Sequence, residues 1–296
     1  MVRVAITQDD TIERAIEDAL QRIENPEELF GGKRVAVKPN DTWASRSDTS
    51  AITQPDSLRA VLRHIKYFTP SELIVTGGSG AGETDEIFRI GGLMKVIEEE
   101  GGSFFDHNRP PLKRVSLEHG PQKSVMVNPR ILEYETVVVL SQLKVHETAT
   151  VTLALKNIAM SYPAADYYGH PRSKEVHKHE FFGDTQSFIA GMAKRFPIHL
   201  AVTVGHPAMI GTGPIGGKLI ETGLVIASTD AVAADAVGAR LLGFDPQGVR
   251  HIYEASGLGV GESDFDKMEF PVLGLQEAVE IFSEKAYGMK ISLEHA

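Results

Sequence analysis

Short apolar runs alternate with segments of helical periodicity along most of this 296-residue chain. The apolar runs predict strands at Val2–Thr7, Val35–Val37, Leu73–Thr76, Val137–Leu140, Leu200–Val204, Leu224–Ala227 and, at an edge, Phe270–Leu273. The periodic segments predict helices over Ile12 to Ile23 (capped by Asp10 or Thr11), Pro55–Phe68, Thr84 to about Glu100, Asp230–Leu242, Gln247–Ala255 and a closing segment. Strands that alternate with helices usually pair in parallel, so we predict an α/β fold with a mostly parallel sheet flanked by helices.

Two segments interrupt this alternation. Residues 108–132 are rich in proline and charge, and their alternating stretches at Lys113–Leu117 and Ser124–Val127 predict a β-hairpin. Residues 161–185 have little periodicity and predict a long loop, which in a compact domain is usually functional or mobile. The chain length suits one domain or two α/β lobes, at about 1–140 and 141–296, with a cleft between them.

Composition excludes several classes of protein. The formal charge of -10 argues against a nucleic-acid binder, although two or three clustered cations can still hold a small anion. The absence of cysteine rules out disulfides, thiolate metal sites and iron–sulfur clusters held by this chain. No apolar run reaches membrane-spanning length, and the start of the chain has no apolar signal core. We therefore expect a cytoplasmic protein with no membrane partner; a homo-oligomer is left open.

The strand predicted at Val137–Leu140 leads into the segment richest in polar side chains. Six of the eleven histidines fall between His146 and His206, and this segment opens that window. Its candidate site residues are Lys144, His146, Thr148, Thr152, Lys156 and Asn157. Ligands of open α/β sheets bind at the carboxyl ends of strands, so we expect a pocket here. The two lysines supply a cation or an amine, and the histidine supplies an acid, a base or a metal ligand.

The conformation of the chain after His146 has two interpretations. A helix places Thr148, Thr152 and Lys156 on one face at successive i+4 steps. The strict alternation from Ala149 to Leu155 is instead typical of a strand. We favour the helix, because a parallel strand normally leads into one. A solvated helix face with one hydrogen-bonded histidine is the structural alternative to a site.

The later histidines predict a metal-binding element. In an extended chain, His177 and His179 lie on the same side, a spacing that metal sites use. The candidate ligands of a divalent metal are His170, His179 and His206, with Glu180 and Asp184 as oxygen donors. No strict ligand motif such as HExxH is present, so a polar surface loop is the alternative.

Two elements at predicted strand ends suit the binding of an anionic cofactor. Lys38 and Asn40 place a cation and an amide after one strand. The loop Gly77–Gly82, with Gly78 and Gly80, stands between a strand and a helix start, where free N–H groups and the helix dipole favour negative charge. Its spacing is GxGxG rather than GxGxxG, and a plain turn is the alternative.

A second glycine-rich loop, Gly211–Lys218, contains the candidate cofactor-binding residues Gly211 and Gly213. It resembles a P-loop, but Thr212 replaces the first glycine and Leu219 follows the lysine, where a magnesium-binding hydroxyl would be required. These departures argue against a nucleoside triphosphatase, and a strand rather than a helix is expected to follow. A plain turn is again the alternative.

Asp235 is an acidic residue within a predicted helix of alanines and valines, where a carboxylate is buried and needs a partner. Asp230, at the start of that helix, suits an N-cap. The partner of Asp235 is expected to be either a cationic ligand group or a lysine such as Lys38. We favour a structural role for it and retain it as a candidate cofactor-binding residue.

Five ordered blocks resemble the prokaryotic Domain of Unknown Function 362 family. They are Val37–Asn40, Ser141–His146, Val151–Asn157, Gly211–Pro214 and Ala227–Asp235, within a region from about residue 35 to Gly259. The family is largely uncharacterised, and many members carry ferredoxin-like cysteine motifs that this chain lacks. Members also tend to have an acidic residue before the Gly-x-Gly-Pro block. His206 stands near that place here, which implies a position at the site.

A second similarity concerns spacing alone. In nickel-pincer lactate racemases, a histidine, a lysine that tethers the pyridinium cofactor and another histidine follow at intervals close to His146, Lys156 and His170. The similarity implies racemase or epimerase chemistry on a 2-hydroxy acid.

Three hypotheses follow from the sequence. The first is an enzyme that binds a small anionic substrate or cofactor between two lobes, with Lys38, Lys144 and Lys156 as cations, His146 as acid or base, and a divalent metal as an option. The second is the nickel-pincer type of racemase. The third is a non-catalytic ligand-binding protein that accompanies a separate redox partner.

Overall fold

The computed structural model describes residues 1–170 and 184–292. The strands of this part of the chain are β1 (Val2–Arg3), β2 (Ala5–Gln8), β3 (Arg34–Pro39), β4 (Glu72–Gly77), β5 (Ser103–Asp106), β6 (Lys113–Ser116), β7 (Ser124–Val127), β8 (Thr136–His146), β9 (Thr150–Thr152), β10 (Leu200–Ile210), β11 (Lys218–Ile220), β12 (Leu224–Ser228) and β13 (Met268–Glu269). The helices are α1 (Ile12–Leu20), α2 (Pro26–Phe30), α3 (Pro55–Tyr67), α4 (Thr84–Ile90), α5 (Leu93–Glu99), α6 (Ala154–Ser161), α7 (Ala165–Tyr168), α8 (Thr185–Arg195), α9 (Ala231–Leu241), α10 (Arg250–Gly257) and α11 (Leu275–Tyr287).

One large sheet organises the chain. Its strand order is β2-β12-β10-β8-β3-β4-β5, and β10, β8, β3, β4 and β5 run parallel to one another. The antiparallel strand β12 joins β2 to this set, while β9 and β11 pair antiparallel with the ends of β8 and β10. The predicted α/β fold with a mostly parallel sheet flanked by helices is confirmed.

Helices cover both faces of the sheet, and each face has its own apolar core. Along β8, Val137 and Val139 belong to the core under α6, α8, α9, α10 and α11. Val138 and Leu140 belong to the opposite core, under α1, α3, α4 and α5. Successive side chains of a strand point to opposite faces, so a run of four apolar residues is buried on both sides.

The central strand β8 is longer than predicted and turns back on itself. It reaches His146, and β9 pairs with its end in the register Lys144↔Thr152 and His146↔Thr150. The favoured helical interpretation of the segment after His146 is therefore wrong for Thr148 and Thr152, although Lys156 does lie on a helix. Local alternation and β-branched residues outweighed the usual transition from strand to helix.

Two further predictions need correction. The helix predicted from Thr84 to about Glu100 is interrupted at Gly91 and Gly92, because Gly92 adopts a left-handed conformation with φ of 74° and begins a new helix. The edge strand lies at Met268–Glu269, where it pairs with β1, rather than at Phe270–Leu273. The predicted β-hairpin is confirmed as β6 and β7.

The sheet also bears on the predicted lobes. The boundary expected near residue 140 falls inside β8, and strands from both sides of that point share the sheet. A cleft between two lobes stays a prediction. Within the described residues, no helix is both long enough and apolar enough to cross a membrane.

The β6–β7 hairpin packs onto α8 through a close backbone contact. A Cβ added at Gly191 would lie 2.2 Å from the His119 carbonyl oxygen in the hairpin loop. Nearby, His119 Nε2 lies 2.9 Å from Glu254 Oε2 on α10. The glycine lets the hairpin approach two helices that also support the pocket described below.

Replacing Gly191 with alanine tests this packing. We expect Gly191→Ala to lower the free energy of unfolding by about 1–3 kcal/mol, because the methyl group forces two backbones apart. Gly257→Ala is the matched control, since a Cβ at that helical glycine meets nothing within 4 Å. Urea unfolding followed by circular dichroism measures both variants, and equal unfolding midpoints would contradict the packing argument.

Candidate functional site

A pocket opens at the carboxyl ends of the parallel strands. Its volume is ≈180 Å³. The lining residues come from segments that follow β3 and β4, from the region between β8 and α7, from the start of α8 and from the loop after β10. They are Asn40, Asp41, Thr42, Gly78, Gly80, Ala81, His146, Thr148, Lys156, Asn157, Met160, Ser161, Thr185, Pro214 and Ile215. The pocket therefore stands where open α/β sheets usually bind ligands.

A larger groove of ≈570 Å³ lies on the outer side of α1 and α3. None of its lining residues comes from a strand, and Arg63 and Tyr67 at its rim are exposed. We therefore take the smaller pocket at the strand ends as the candidate site.

Lys156 is the central cation of the pocket. It occupies the first turn of α6 and is 8% exposed. No hydrogen-bond acceptor or carboxylate pairs with its Nζ within residues 1–170 and 184–292. Burial lowers the pKa of the Lys156 ammonium to about 7. The positive end of the helix dipole acts in the same direction, and both effects favour an anion nearby.

Lys144 lies close to Lys156 but does not line the pocket. Its side chain is fully buried, and its Nζ donates to the Ala51 carbonyl at 2.9 Å. Burial, with the charge of Lys156 as the next cause, lowers the pKa of Lys144 to about 7, while Asp41 opposes the shift. The two lysines belong to one candidate constellation in the sequence and lie near each other in the structure, where Lys156 lines the pocket and Lys144 does not.

His146 lines the pocket from the end of β8. Its Nδ1 accepts the backbone N–H groups of Thr148 and Ala149 at 3.1 and 3.3 Å. A neutral ring that accepts at Nδ1 carries its proton on Nε2, so His146 can donate a hydrogen bond from that atom. The tight turn between β8 and β9 thus selects the tautomer.

Asn157 adds a polar group beside Lys156. It lines the pocket, is 6% exposed, and its Nδ2 has no hydrogen-bond partner in the described part of the chain. A buried donor without an acceptor is destabilising until an acceptor arrives. Asn157 and Lys156 therefore present adjacent donors to the same space.

Lys38 has a different environment from the one expected. Its Nζ donates to Asp41 Oδ1 at 2.7 Å, and both side chains are buried. The other Asp41 oxygen accepts the Gly78 N–H at 2.8 Å. Asp41 is thus the ionic partner of Lys38, and a contact between Lys38 and a ligand stays a prediction. Asn40 does line the pocket, and its Oδ1 accepts the Gln142 N–H at 2.6 Å.

Both glycine-rich loops contribute residues to the pocket wall. Gly78 and Gly80 line the pocket, but the Gly78 N–H is taken by Asp41. A Cβ at Gly78 would also lie 2.5 Å from the Ser161 carbonyl oxygen, so the glycine allows close packing. Gly211 and Gly213 do not line the pocket.

In the second glycine-rich loop, close packing again explains the glycine. A Cβ at Gly213 would lie 2.1 Å from the Val145 carbonyl oxygen. That approach brings Pro214 and Ile215 over the pocket as an apolar wall. A strand, β11, follows this loop as predicted.

Asp235 neither binds Lys38 nor reaches the pocket. It is fully buried on α9, and its two oxygens accept the backbone N–H groups of Ala154 and Leu155, each at 2.9 Å. Burial raises the pKa of Asp235 to about 7, against the effect of these two hydrogen bonds. The expected pairing with Lys38 is wrong, because the carboxylate fixes the start of α6 and so places Lys156 at the pocket.

The predicted metal ligands do not converge in the described residues. His170 is exposed, and His177 and His179 lie outside the described residues. His206 does not line the pocket: its Nε2 lies 2.9 Å from Asp56 Oδ2 and its Nδ1 lies 2.7 Å from Glu221 Oε2. These hydrogen bonds raise the pKa of His206 to about 9, so both ring nitrogens carry protons. Within residues 1–170 and 184–292, no group of three or more His, Asp or Glu side chains could hold a metal ion.

Sequence reasoning missed three residues near the site. Asp41 follows Asn40 directly, and its spacing of three residues from Lys38 was an available signal for an ion pair. Thr185 lines the pocket from the start of α8. His251 on α10 is fully buried, and the charge of Lys156 acts on its ring; no local pattern marked it, because the two residues belong to distant segments.

The fold and the pocket define an α/β protein with a lysine-bearing pocket at the carboxyl edge of a parallel sheet. The chain belongs to the family described as Domain of unknown function (DUF362), whose model matches residues 35–240. This confirms the resemblance carried by the ordered sequence blocks.

Two similar proteins extend the comparison. The thylakoid-associated protein sll1697 of Synechocystis sp. is 23% identical over 257 residues, which cover 84% of this chain and 74% of that protein. The lactate racemase apoprotein of Thermoanaerobacterium thermosaccharolyticum superimposes with a TM-score of 0.51 at 13% sequence identity. This match covers 80% of the present chain and 56% of the racemase, so the chain spans little more than half of that structure. The likeness to the racemase concerns the fold.

The buried lysine predicts a specific pH dependence of stability. Between its folded pKa of about 7 and its ordinary value of 10.5, Lys156 binds a proton in the unfolded chain but not in the folded protein, so its contribution to stability increases as the pH rises. We expect the free energy of unfolding of Lys156→Met to be higher than that of the wild type, by on the order of 2 kcal/mol at neutral pH. The difference between the two proteins should shrink towards pH 10.

Urea unfolding of both proteins across this pH range measures the difference. Lys95→Met is the control, because the Lys95 side chain is 78% exposed. A wild-type-to-mutant difference that stays constant with pH would show that Lys156 has an ordinary pKa.

Proposed function

We propose that this protein is an enzyme that binds a small anionic substrate or cofactor at the carboxyl edge of its sheet, with Lys156 as the group that contacts the anion. The observation that carries the proposal is the pair of buried lysines, Lys144 and Lys156, neither of which has a carboxylate within ion-pair distance in the described ranges. Buried charges in proteins are normally paired. A bound anion supplies the missing partner.

The donors around the pocket support an anionic ligand. Lys156 and the Asn157 Nδ2 lack acceptors in the described part of the chain, and the His146 Nε2 is a donor in the neutral ring. Lys156 also stands in the first turn of α6, where the helix dipole favours negative charge. An anion that binds here restores the ammonium form of Lys156, so binding takes up a proton near neutral pH.

The pocket walls limit the size and character of the ligand. A volume of ≈180 Å³ is below the range of about 300–1,000 Å³ that is usual for pockets of drug-sized ligands. Ala81, Met160, Pro214 and Ile215 form an apolar side. These dimensions suit a small anion with a short apolar part rather than a dinucleotide.

The same groups suit acid–base catalysis. With a pKa of about 7, Lys156 is present both as an amine and as an ammonium near neutral pH. A catalytic group works best when its pKa lies near the working pH. His146 provides a second donor on the same pocket. Lys156 is therefore proposed as the acid or base, and His146 as the residue that orients the ligand by hydrogen bonding.

Calorimetric titration with oxalate, lactate and inorganic phosphate tests this proposal. At about pH 8, we expect at least one of them to bind with uptake of about one proton, measured from the dependence of the enthalpy on the buffer ionisation enthalpy. Lys156→Met should abolish both the binding and the proton uptake, whereas Lys95→Met should retain them. Equal binding by wild type and Lys156→Met, or no binding of any of the three anions, would contradict the proposal.

A second candidate is a racemase or epimerase of 2-hydroxy acids with a nickel cofactor tethered to lysine. It is supported by His146 and Lys156 lining one pocket and by a fold similar to that of a lactate racemase apoprotein. Lys156 fits the role of attachment point, because its buried amine has a lowered pKa. The described residues provide no cluster of metal ligands, so we assign none of them as ligands of the nickel ion.

Mass spectrometry separates the two candidates. The second candidate predicts added mass on the peptide that contains Lys156, together with nickel by elemental analysis, in protein from a host that makes the cofactor. Lys156→Met from the same host is the control and should carry neither. An unmodified intact mass and the absence of nickel would count against the tethered cofactor.

A further inference from the structure

His251 is a fully buried histidine outside the pocket lining. It lies in the first turn of α10, and its Nδ1 is 2.6 Å from Gln186 Oε1. The same oxygen accepts the His251 backbone N–H at 3.1 Å, while Gln186 Nε2 points to the Thr148 carbonyl at 3.5 Å. Both contacts orient the amide oxygen towards the ring. Since that oxygen only accepts, Nδ1 carries the ring proton.

The other ring nitrogen of His251 is left as a buried acceptor. Its Nε2 has no hydrogen-bond partner among residues 1–170 and 184–292. An unsatisfied buried acceptor is destabilising, and an apolar side chain of similar size would avoid that cost. Packing alone therefore does not account for a histidine at this place.

Lys156 is the complementary group. Burial and the nearby charge of Lys156 lower the pKa of His251 to about 3, and Glu254 opposes the shift. Helix α8, which carries Gln186, packs against both α6 and α10, so the ring lies in the same helical layer as the buried Lys156, whose Nζ has no acceptor in the described residues. Lys144 and, beyond it, Asp41 are the other charged groups close to this pair.

We propose that His251 is the positioning residue of Lys156: when no anion is bound, rotation of the lysine side chain away from the conformation described above lets its Nζ donate a hydrogen bond to His251 Nε2. The flexible four-carbon stem of lysine permits this movement. An anion in the pocket then draws Nζ away from His251, and only hydrogen bonds change in the process. The inference rests on Lys156 being the functional amine proposed above. Gln186 sets the tautomer that makes Nε2 an acceptor.

The ligand-free protein provides the test. Acetylation of Lys156 by acetic anhydride, followed by peptide mass spectrometry as the pH is raised, gives the titration midpoint of the amine. We expect His251→Leu to lower that midpoint by about one pH unit, because the ammonium loses an acceptor. His251→Gln, which retains an acceptor oxygen, should restore the wild-type midpoint. His64→Leu, a histidine outside the pocket, is the control and should leave it unchanged.

Two results with the variants would overturn the proposal. One is a midpoint in folded His251→Leu equal to that of the wild type, and the other is an equal shift in His251→Gln. Nitrogen NMR of labelled wild-type histidine adds a measurement that needs no variant: the proposal requires a proton on Nδ1, and an Nε2–H tautomer of His251 would refute it. Because no ligand is present, failure here is distinct from a failure of the anions to bind.

Discussion

The hydrogen bonds from the first two N–H groups of α6 to Asp235 are the interaction on which the rest of the site depends. A helix start leaves its first N–H groups without partners, and a side chain from the preceding turn usually satisfies them. Here a carboxylate on α9, 80 residues further along the chain, does so. The carboxylate fixes the start of α6, and Lys156 is the third residue of that helix. The position of Lys156 in the pocket is thus set by an acid that does not line the pocket.

Charge is distributed unevenly around the pocket. Lys38 and Asp41 form a buried ion pair at the strand ends, and Asp41 also accepts a hydrogen bond from the Gly78 N–H. Lys144 and Lys156 have no such partner in the described residues. Of the three buried lysines, Lys38 therefore has a carboxylate partner within the protein, whereas Lys144 and Lys156 have none in the described residues. Departures from full pairing of this kind are expected at functional sites, where stability is lost in favour of ligand binding.

The architecture could be predicted because it depends on local patterns. Apolar runs and helical periodicity located the parallel strands other than β5 and most of the helices, and the turn-rich segment located the β6–β7 hairpin. The predictions failed where one local rule competed with another. The segment after His146 satisfied both a helix rule and a strand rule, and cross-strand pairing with β8 decided for the strand. At Gly91 and Gly92, backbone freedom interrupted an otherwise periodic helix.

The site was predictable in part, for a related reason. Asn40 directly follows β3, His146 ends β8, and Lys156 and Asn157 lie in the first half of α6, shortly after β9. All four line the pocket near the strand end where the sequence predicted a site. The partners of Lys38 and Asp235 depended on distances that no spacing rule supplies. His251 approaches Lys156 only because α6, α8 and α10 pack together in one layer. The proximity of two buried residues almost 100 positions apart has no signature in either segment alone.

The central position of β8 has a consequence for how the protein is made. Lys38 of β3 pairs with Val139, about 100 residues later, and Leu140 pairs with Val202 of β10, a further 62 residues on. Such distant strand pairs form slowly, since long loops must close first. A chain emerging from the ribosome would carry unpaired strand edges until β8 and then β10 are available. The pocket would be among the last features to appear, and no fragment that lacks either half of the sheet would contain it.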